Sequence, residues 1–288
     1  MKAASPIPVA APTVGDCLRS AADRLRGAGV EPPRLTAETL LAHALDCERV
    51  TLYAHPERAV EDAAAEAFAR LVERRAAGEP TQHLLGRQEF YGREMEVGPA
   101  AFIPRPETEL LVETALENFP QARRIVDVGT GSGCIAVTLA KELDRPVTAI
   151  EIAAETLAVA RRNAAYHGAS VRFVQGDLLS AARTASLDLA VSNPPYVARR
   201  DEPTLQREVR FEPARALFGG EDGLDVYRRL IPQAERALRP GGGLALELGY
   251  DSLPGVLELL RAGRWSAIAV REDLAGIPRV ISAERLAG

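Results

Sequence analysis

The sequence predicts an α/β protein: an open, mostly parallel sheet with helices on both faces, preceded by a small helical bundle. Three features lead there. From residue 123 onward, short apolar runs alternate with stretches of helical spacing, the pattern of strand–helix–strand units. Before about residue 80, apolar residues recur at intervals of three and four with no strand-like run. Between them, residues 84–106 read as a short hairpin and then an extended, proline-rich path.

Composition bounds the function. The chain has 288 residues, enough for one large domain and a smaller one. Hydrophobic residues make up 47% and charged residues 26%, so a packed core is expected. A formal charge of −5 and a pI of about 5.6 argue against broad affinity for nucleic acid or an anionic membrane, either of which needs a basic field. Cys17, Cys47 and Cys134 are few and far apart, and the histidines are scattered. Neither a disulfide framework nor a metal site is therefore expected. Pro6, Pro8 and Pro12 interrupt the N-terminus, which is not read as a secretory signal. No apolar run approaches the roughly 20 residues of a membrane span, and the expected location is the cytoplasm.

Residues 1–12 read as a frayed tail. Val14, Leu18, Ala21, Ala22 and Leu25 form the stripe of a first helix, stopped by Gly27 and Gly29. Residues 36–45 and 60–77 repeat the pattern. Glu89 to Gly92 and Met95 to Val97 suggest a hairpin about Gly92, and Pro99, Pro104 and Pro106 an extended path. Helical spacing resumes over 107–119. Strands are then expected at 125–128, 147–152, 171–174, 187–192 and 244–248. Helices are expected at 135–143, 155–166, 224–238 and 253–260. Pro240 and Gly241 to Gly243 read as a turn. Residues 267–270 and 279–282 look like two final strands with no helix between them, an antiparallel hairpin at the sheet edge. The expected division is a helical domain over 1–83, a linker over 84–106 and a sheet domain over 107–288.

The first strand runs into Asp127-Val128-Gly129-Thr130-Gly131-Ser132-Gly133, which opens a helix. Glycines let a backbone approach a ligand closely, and open α/β sheets bind ligands at the carboxyl ends of their strands. The dinucleotide fingerprint spaces its glycines differently. Asp127 suits the amino group of an amino acid better than a pyrophosphate. The expected cofactor has an adenosine and a charged amino-acid tail. Glu151, ending the second strand, is placed to accept both ribose hydroxyls. Asp177 is placed either to reach the adenine amino group, with Leu178 covering the ring, or to cap a helix.

After the fourth expected strand comes Asn193-Pro194-Pro195-Tyr196. Prolines stiffen this turn and push Asn193 out of the helical region. The Asn193 side-chain oxygen and the Pro194 carbonyl then form two acceptors that match the two donors of a planar –NH2. Tyr196 offers a face for stacking. Such a cradle aims a poorly nucleophilic amide or amine nitrogen at an electrophilic methyl group. A sulfonium is a good leaving group, so no metal is required. The acidic, glycine-rich stretch 218–223 reads either as a loop with Asp222 capping the next helix or as a wall beside the substrate.

These motifs resemble the bacterial peptide chain release factor N5-glutamine methyltransferases. The likeness extends over nearly all of the chain after about residue 13, through Gln88 to Gly92, Ile103 to Glu109, Asp127 to Cys134, Asn193 to Tyr196, Phe211-Glu212-Pro213, Leu217 to Leu224 and Asp273 to Arg279. It implies a class I, Rossmann-like methyltransferase domain with a seven-stranded sheet, a helical N-terminal domain that recognises the protein substrate, and S-adenosyl-L-methionine as methyl donor. The implied substrate is the glutamine of the Gly-Gly-Gln loop of class I release factors. Carried over by motif, Gly129 to Gly133, Glu151 and Asn193 contact the cofactor, and Asn193, Pro194, Pro195 and Tyr196 hold the glutamine. Many relatives carry Asp in place of Glu151, and some an aromatic in place of Leu178.

Two other classes compete. Adenine-specific nucleic-acid methyltransferases share the Asn-Pro-Pro-Tyr tetrapeptide, but such an enzyme needs a basic recognition surface and this chain is acidic. A non-catalytic adenosine-binding module would have little use for an intact Asn193 to Tyr196 turn.

Overall fold

A computed structural model describes residues 11–287. Most of the frayed tail expected over 1–12 lies outside the described residues. Pro12 is anchored, its carbonyl accepting the Val60 N–H at 2.9 Å. The chain divides into two compact units, Met1–Leu85 with Arg207–Phe211, and Gly86–Gln206 with Glu212–Gly288.

The smaller unit is helical: α1 (Val14–Gly27), α2 (Pro33–Ala44), α3 (Arg49–Ala54), α4 (Asp62–Ala76) and α5 (Thr81–Leu85). Thr13 and Asp16 cap α1 reciprocally, each side chain accepting the other's backbone N–H at 3.2 Å. Leu18, Leu25, Leu40, Leu41, Phe68 and Val72 meet in its core. The short helices α3 and α5 were not expected, because six and five residues carry too little periodicity to read. Arg75, buried in α4, pairs with Glu208 from the excursion 207–211.

In the larger unit, β1 (Arg87–Phe90) and β2 (Arg93–Glu96) form the expected hairpin. A single 3-10 turn, Pro106–Thr108, leads into α6 (Glu109–Asn118). There follow β3 (Ile125–Val128), α7 (Cys134–Leu143), β4 (Val147–Glu151), α8 (Ala154–Tyr166), β5 (Val171–Gln175), β6 (Leu187–Ser192), α9 (Ala214–Leu217), α10 (Asp225–Ala237), β7 (Leu238–Glu247), α11 (Leu253–Ala262), β8 (Trp265–Glu272) and β9 (Pro278–Arg285).

Among the described residues, the main sheet has seven strands in the order β5-β4-β3-β6-β7-β9-β8. Every pairing from β5 to β7 is parallel, and β9 joins β7 and β8 antiparallel. β3 is buried at all four positions, as a central strand covered on both faces should be. Helix α10 buries Tyr227, Leu230, Ile231, Ala234 and Ala237 at helical spacing against one face of the sheet. Helix α7 buries 134–140 in the other core cluster.

One expected turn is not a turn. Pro240 to Gly243 lie inside β7: Leu238 pairs with Leu187, pairing resumes at Gly243 with Leu189, and an irregularity between them absorbs the extra residues. Glycine is needed there for lack of space, since a Cβ on Gly243 would overlap the Phe119 ring.

Candidate active site

The carboxyl ends of β3, β4 and β6 open on a cavity of about 280 Å³. Gly129, Thr130, Gly131, Ser132, Glu151, Asp177, Leu178, Asn193, Pro194, Pro195 and Tyr196 all line it. Residues 125–128 and 187–192 form neighbouring parallel strands, so the glycine loop and the Asn193 turn leave the sheet side by side.

The loop after β3 is tied to β4. The Gly129 and Thr130 N–H groups both donate to the Ile150 carbonyl, at 2.8 and 3.0 Å. Gly129 and Gly131 have φ of 73° and 57°, and a Cβ on either would meet nothing within 4 Å. Backbone conformation rather than crowding calls for glycine there, which leaves open space over the loop. Gly133 does not line the cavity; its Cβ would press on Ala160 at 3.0 Å, so it serves the packing of α7 on α8.

Asp127 also stands behind the lining, fully buried. Its Oδ2 accepts the Thr130 hydroxyl at 2.5 Å, while Oδ1 has no partner among the described residues. Burial pushes its carboxyl up to about 7, against the pull of Thr130. Glu151 is nearly buried and already engaged. Its Oε1 accepts the N–H groups of Ile152 and Ala153 at 2.9 and 3.1 Å, and its Oε2 that of Gly131 at 3.2 Å. Of about four acceptor sites on a carboxylate, one is left in this rotamer, short of the two that a pair of hydroxyls needs. Asp177 pairs with Arg229, which also lines the cavity. Residues 177–181 form turns rather than a helix, so Asp177 has no helix to cap. Leu178, at φ 51°, packs on the sheet core from the cavity wall.

At the other end, the Asn193 amide nitrogen donates to Thr108 Oγ1 at 3.2 Å. That fixes the amide and leaves its oxygen available as an acceptor. Ser192 ties the turn to β3, donating to the Val128 carbonyl at 2.7 Å. The Tyr196 hydroxyl donates to Glu247 Oε1 at 3.4 Å, and burial with the nearby Glu247 raises that phenol well above its ordinary range. Tyr196 is therefore neutral at physiological pH.

The stretch 218–223 does something neither reading of it anticipated. A Cβ on Gly219 would lie 2.5 Å from the Pro195 carbonyl oxygen, and one on Gly223 would overlap the Tyr196 carbonyl. Val197 N–H donates to the Leu217 carbonyl at 2.8 Å, and Gly219 N–H to the Val197 carbonyl at 3.0 Å. This segment backs the turn. Asp222 accepts the Leu224 N–H at 3.2 Å just before α10 and also binds Arg228 at 2.5 Å. Glu212, nearly buried, accepts the Ile103 N–H at 2.9 Å and pairs with Arg105, tying the chain ahead of the site to the chain after it.

Sequence reasoning assigned no role to Thr108 or Glu247. Glu247 carried a signal: it is the lone acid in the apolar run 244–248 of a buried strand. The buried Thr108, at the hinge between a 3-10 turn and α6, left none.

The sheet order, with its antiparallel last pair and its cavity at the carboxyl ends of the parallel strands, defines a class I methyltransferase fold. A crystal structure of a methyltransferase from Pyrococcus furiosus matches it with a TM-score of 0.54 and 21% identity, over 69% of this chain and 91% of that one, a likeness that bears on the fold alone. Residues 16–86 match the PrmC N-terminal domain family and 106–220 the methyltransferase small domain family. A release factor glutamine methyltransferase of Koribacter versatilis (strain Ellin345) is 46% identical over 274 residues, 93% of this chain and 97% of its own. One from Moorella thermoacetica is 45% identical over 279 residues, 95% and 99% of the two chains. The chain belongs to the release factor glutamine methyltransferase family.

Proposed function

We propose that this protein transfers a methyl group from S-adenosyl-L-methionine to the side-chain amide nitrogen of the glutamine in the Gly-Gly-Gln motif of class I release factors. The observation that carries this reading is the shared cavity, with Asn193 anchored by Thr108 at one end and an open glycine loop at the other.

The donor end fits such a molecule. The space over Gly129 and Gly131 suits a close approach, while Asp127, buried behind the loop and bonded to Thr130, supports the loop from below. Glu151 takes one ribose hydroxyl in its present rotamer, and a second once it releases the Gly131 N–H. Asp177 and Leu178, which line the same cavity, take the adenine. When bound, S-adenosyl-L-methionine supplies a methyl on a positively charged sulfur that leaves as a neutral thioether.

The acceptor end does the rest. Asn193 Oδ1 and the Pro194 carbonyl each take one N–H of the glutamine amide, and Tyr196 backs its plane. Both N–H groups are held, so the nitrogen lone pair faces the donor end of the cavity. Positioning of this kind is worth about 7–11 kcal/mol of a barrier. The two oxygens also stabilise positive charge as it develops on the nitrogen. The proton leaves after transfer, so no strong base is needed in contact. The helical unit recognises the release factor, and no metal takes part.

The test is direct: incubate the protein and S-adenosyl-L-methionine with each class I release factor, and in parallel with DNA, then locate the methyl group by mass spectrometry. The expected product is a mono-methylated glutamine in the Gly-Gly-Gln loop. Label in the DNA with the release factors unchanged would overturn the proposal.

A further inference from the structure

Among the described residues, three large apolar side chains stand furthest into solvent: Leu274 at 110%, Tyr166 at 75% and Tyr250 at 72% exposed. One such residue alone is ordinary on a protein surface. Leu274 and Tyr250 differ in where they stand, for both rise at the sheet edge on which the cavity opens. β9 runs antiparallel to β7, so the tip between β8 and β9, residues 273–277, lies at the carboxyl end of β7. β9 is two places from β6 in the sheet, roughly 10 Å across, and β6 leads into the Asn193 turn. Leu248 donates its N–H to the Arg279 carbonyl at 2.8 Å, at the root of the tip. Tyr250 follows two residues later and so leaves the sheet within about 7 Å of Leu248. Gly249 between them meets the acceptor end directly, since a Cβ there would lie 2.7 Å from the Tyr196 ring.

The tip is stiff. Asp273 Oδ1 accepts the N–H groups of Ala275 and Ile277 at 2.9 and 3.0 Å, and its Oδ2 accepts Arg279 Nε at 2.8 Å. The Asp273 carbonyl accepts the Gly276 N–H and its own N–H donates to the Ile277 carbonyl, each at 2.9 Å. Leu274 takes part in none of these bonds and covers nothing in the fold. A braced turn holds it out, so little ordering entropy is lost when a partner meets it. Asp273 and Arg279 answer each other's charge, which leaves an apolar contact for Leu274 to offer.

The shape of the site says what arrives there. A glutamine side chain is short, so a main chain that delivers its amide to Asn193 must come down onto the cavity mouth. The two glycines before it have no side chains to reach the rim. The side chains that meet Leu274 and Tyr250 are therefore those outside the Gly-Gly-Gln tripeptide.

We propose that Leu274 and Tyr250 form an apolar rim that grips apolar residues flanking the Gly-Gly-Gln of the substrate loop, and so read sequence beyond the tripeptide. This rests on the reading that the cavity takes a release factor glutamine.

The experiment measures kcat and KM for wild type, Leu274→Ser, Tyr250→Ser and Leu286→Ser on two substrates, with S-adenosyl-L-methionine affinity by calorimetry. One substrate is a native class I release factor; the other carries serine at the apolar positions flanking its Gly-Gly-Gln. Leu274→Ser and Tyr250→Ser are each expected to raise KM for the native factor about five- to tenfold, with kcat at saturation and cofactor affinity held within about twofold. On the serine-flanked factor KM is already high, and neither variant raises it further. Leu286→Ser, at a 43% exposed leucine just past the other end of β9, changes nothing. Leu274 and Tyr250 both stand mostly in solvent, so serine at either leaves the fold intact. An unchanged KM in either variant, an equal rise in Leu286→Ser, or an undiminished effect on the serine-flanked factor overturns the proposal. A dimer in sedimentation that Leu274→Ser splits, with KM unchanged, would assign the rim to a second copy of the chain and overturn it too. If wild type leaves the native factor unmethylated, the reading of the substrate has failed instead, and the proposal falls with it.

Discussion

At residues 129–133 the backbone is held by its immediate neighbours in the fold. Its N–H groups bond to Ile150 and Glu151 on the adjacent strand, and the two glycines that face the cavity have free space above them. At 193–196 the turn, backbone and side chains, is held from outside. Thr108 comes from before α6, Gly219 and Gly223 from before α10, and Glu247 from the end of β7. A Cβ on Gly249 would also lie 2.7 Å from the Tyr196 ring. One end is local and open; the other is backed tightly by three other stretches of chain. A mobile, strongly charged ligand suits the first. An amide that must be aimed suits the second, since misplacement by about an ångström costs about 100-fold in rate.

The contrast can be broken in order of expected effect. Asn193→Ala should lower kcat/KM for release factor methylation about 100-fold or more, while calorimetry still finds cofactor binding. Gly219→Ala, at the back of the acceptor turn, should lower kcat about tenfold or more by pushing on the Pro195 carbonyl, with cofactor affinity little changed. Gly131→Ala should do the reverse. Its φ of 57° is strained for alanine by about 1–2 kcal/mol, and a loop that relaxes out of that conformation loses cofactor affinity by about tenfold while kcat at saturation is nearly kept.

A fourth test concerns stability. The buried Glu247 titrates at about 7 in the folded protein against 4.5 for an ordinary glutamate. The folded state keeps a proton that the unfolded state has lost, so this group makes stability fall as pH rises from about 4.5 to 7, by on the order of 3 kcal/mol. Glu247→Gln should flatten that slope in thermal melts across the window; Asp127 keeps part of it. An unaltered slope would show that Glu247 is not the group responsible. The smallest effect is expected far from the cavity. Val50 is 64% exposed on α3, and Val50→Asp should raise KM for an intact release factor severalfold but not for a Gly-Gly-Gln peptide. An equal rise for both would argue against substrate recognition by the helical unit.

The same contrast explains what the sequence disclosed. The parallel sheet, its antiparallel last pair and the helices around it were readable because each strand is a compact apolar run and each helix has a stripe. Residues 129–132, 151 and 193–196, which line the cavity together, were readable because a single stretch of chain carries each. Thr108 and the backing glycines were not, because their meaning arises only when β6, β7 and the segment before α10 converge. Composition at 240–243 misled for a related reason. Proline and three glycines look like a turn, and only the register with β6 reveals a strand with a bulge.

Strand β9 has a consequence for how the protein is made. Among the described residues it is the last strand in order, yet it sits inside the sheet, pairing Val280 with Glu247 and accepting the Leu248 N–H on Arg279 at 2.8 Å. A nascent chain emerging from the ribosome can complete the glycine loop and its flanking strands with residues up to 192. Glu247 and Leu248, at the end of the strand that backs Tyr196, gain their second neighbouring strand only when β9 arrives, so the acceptor side of the cavity is completed after the glycine-loop side.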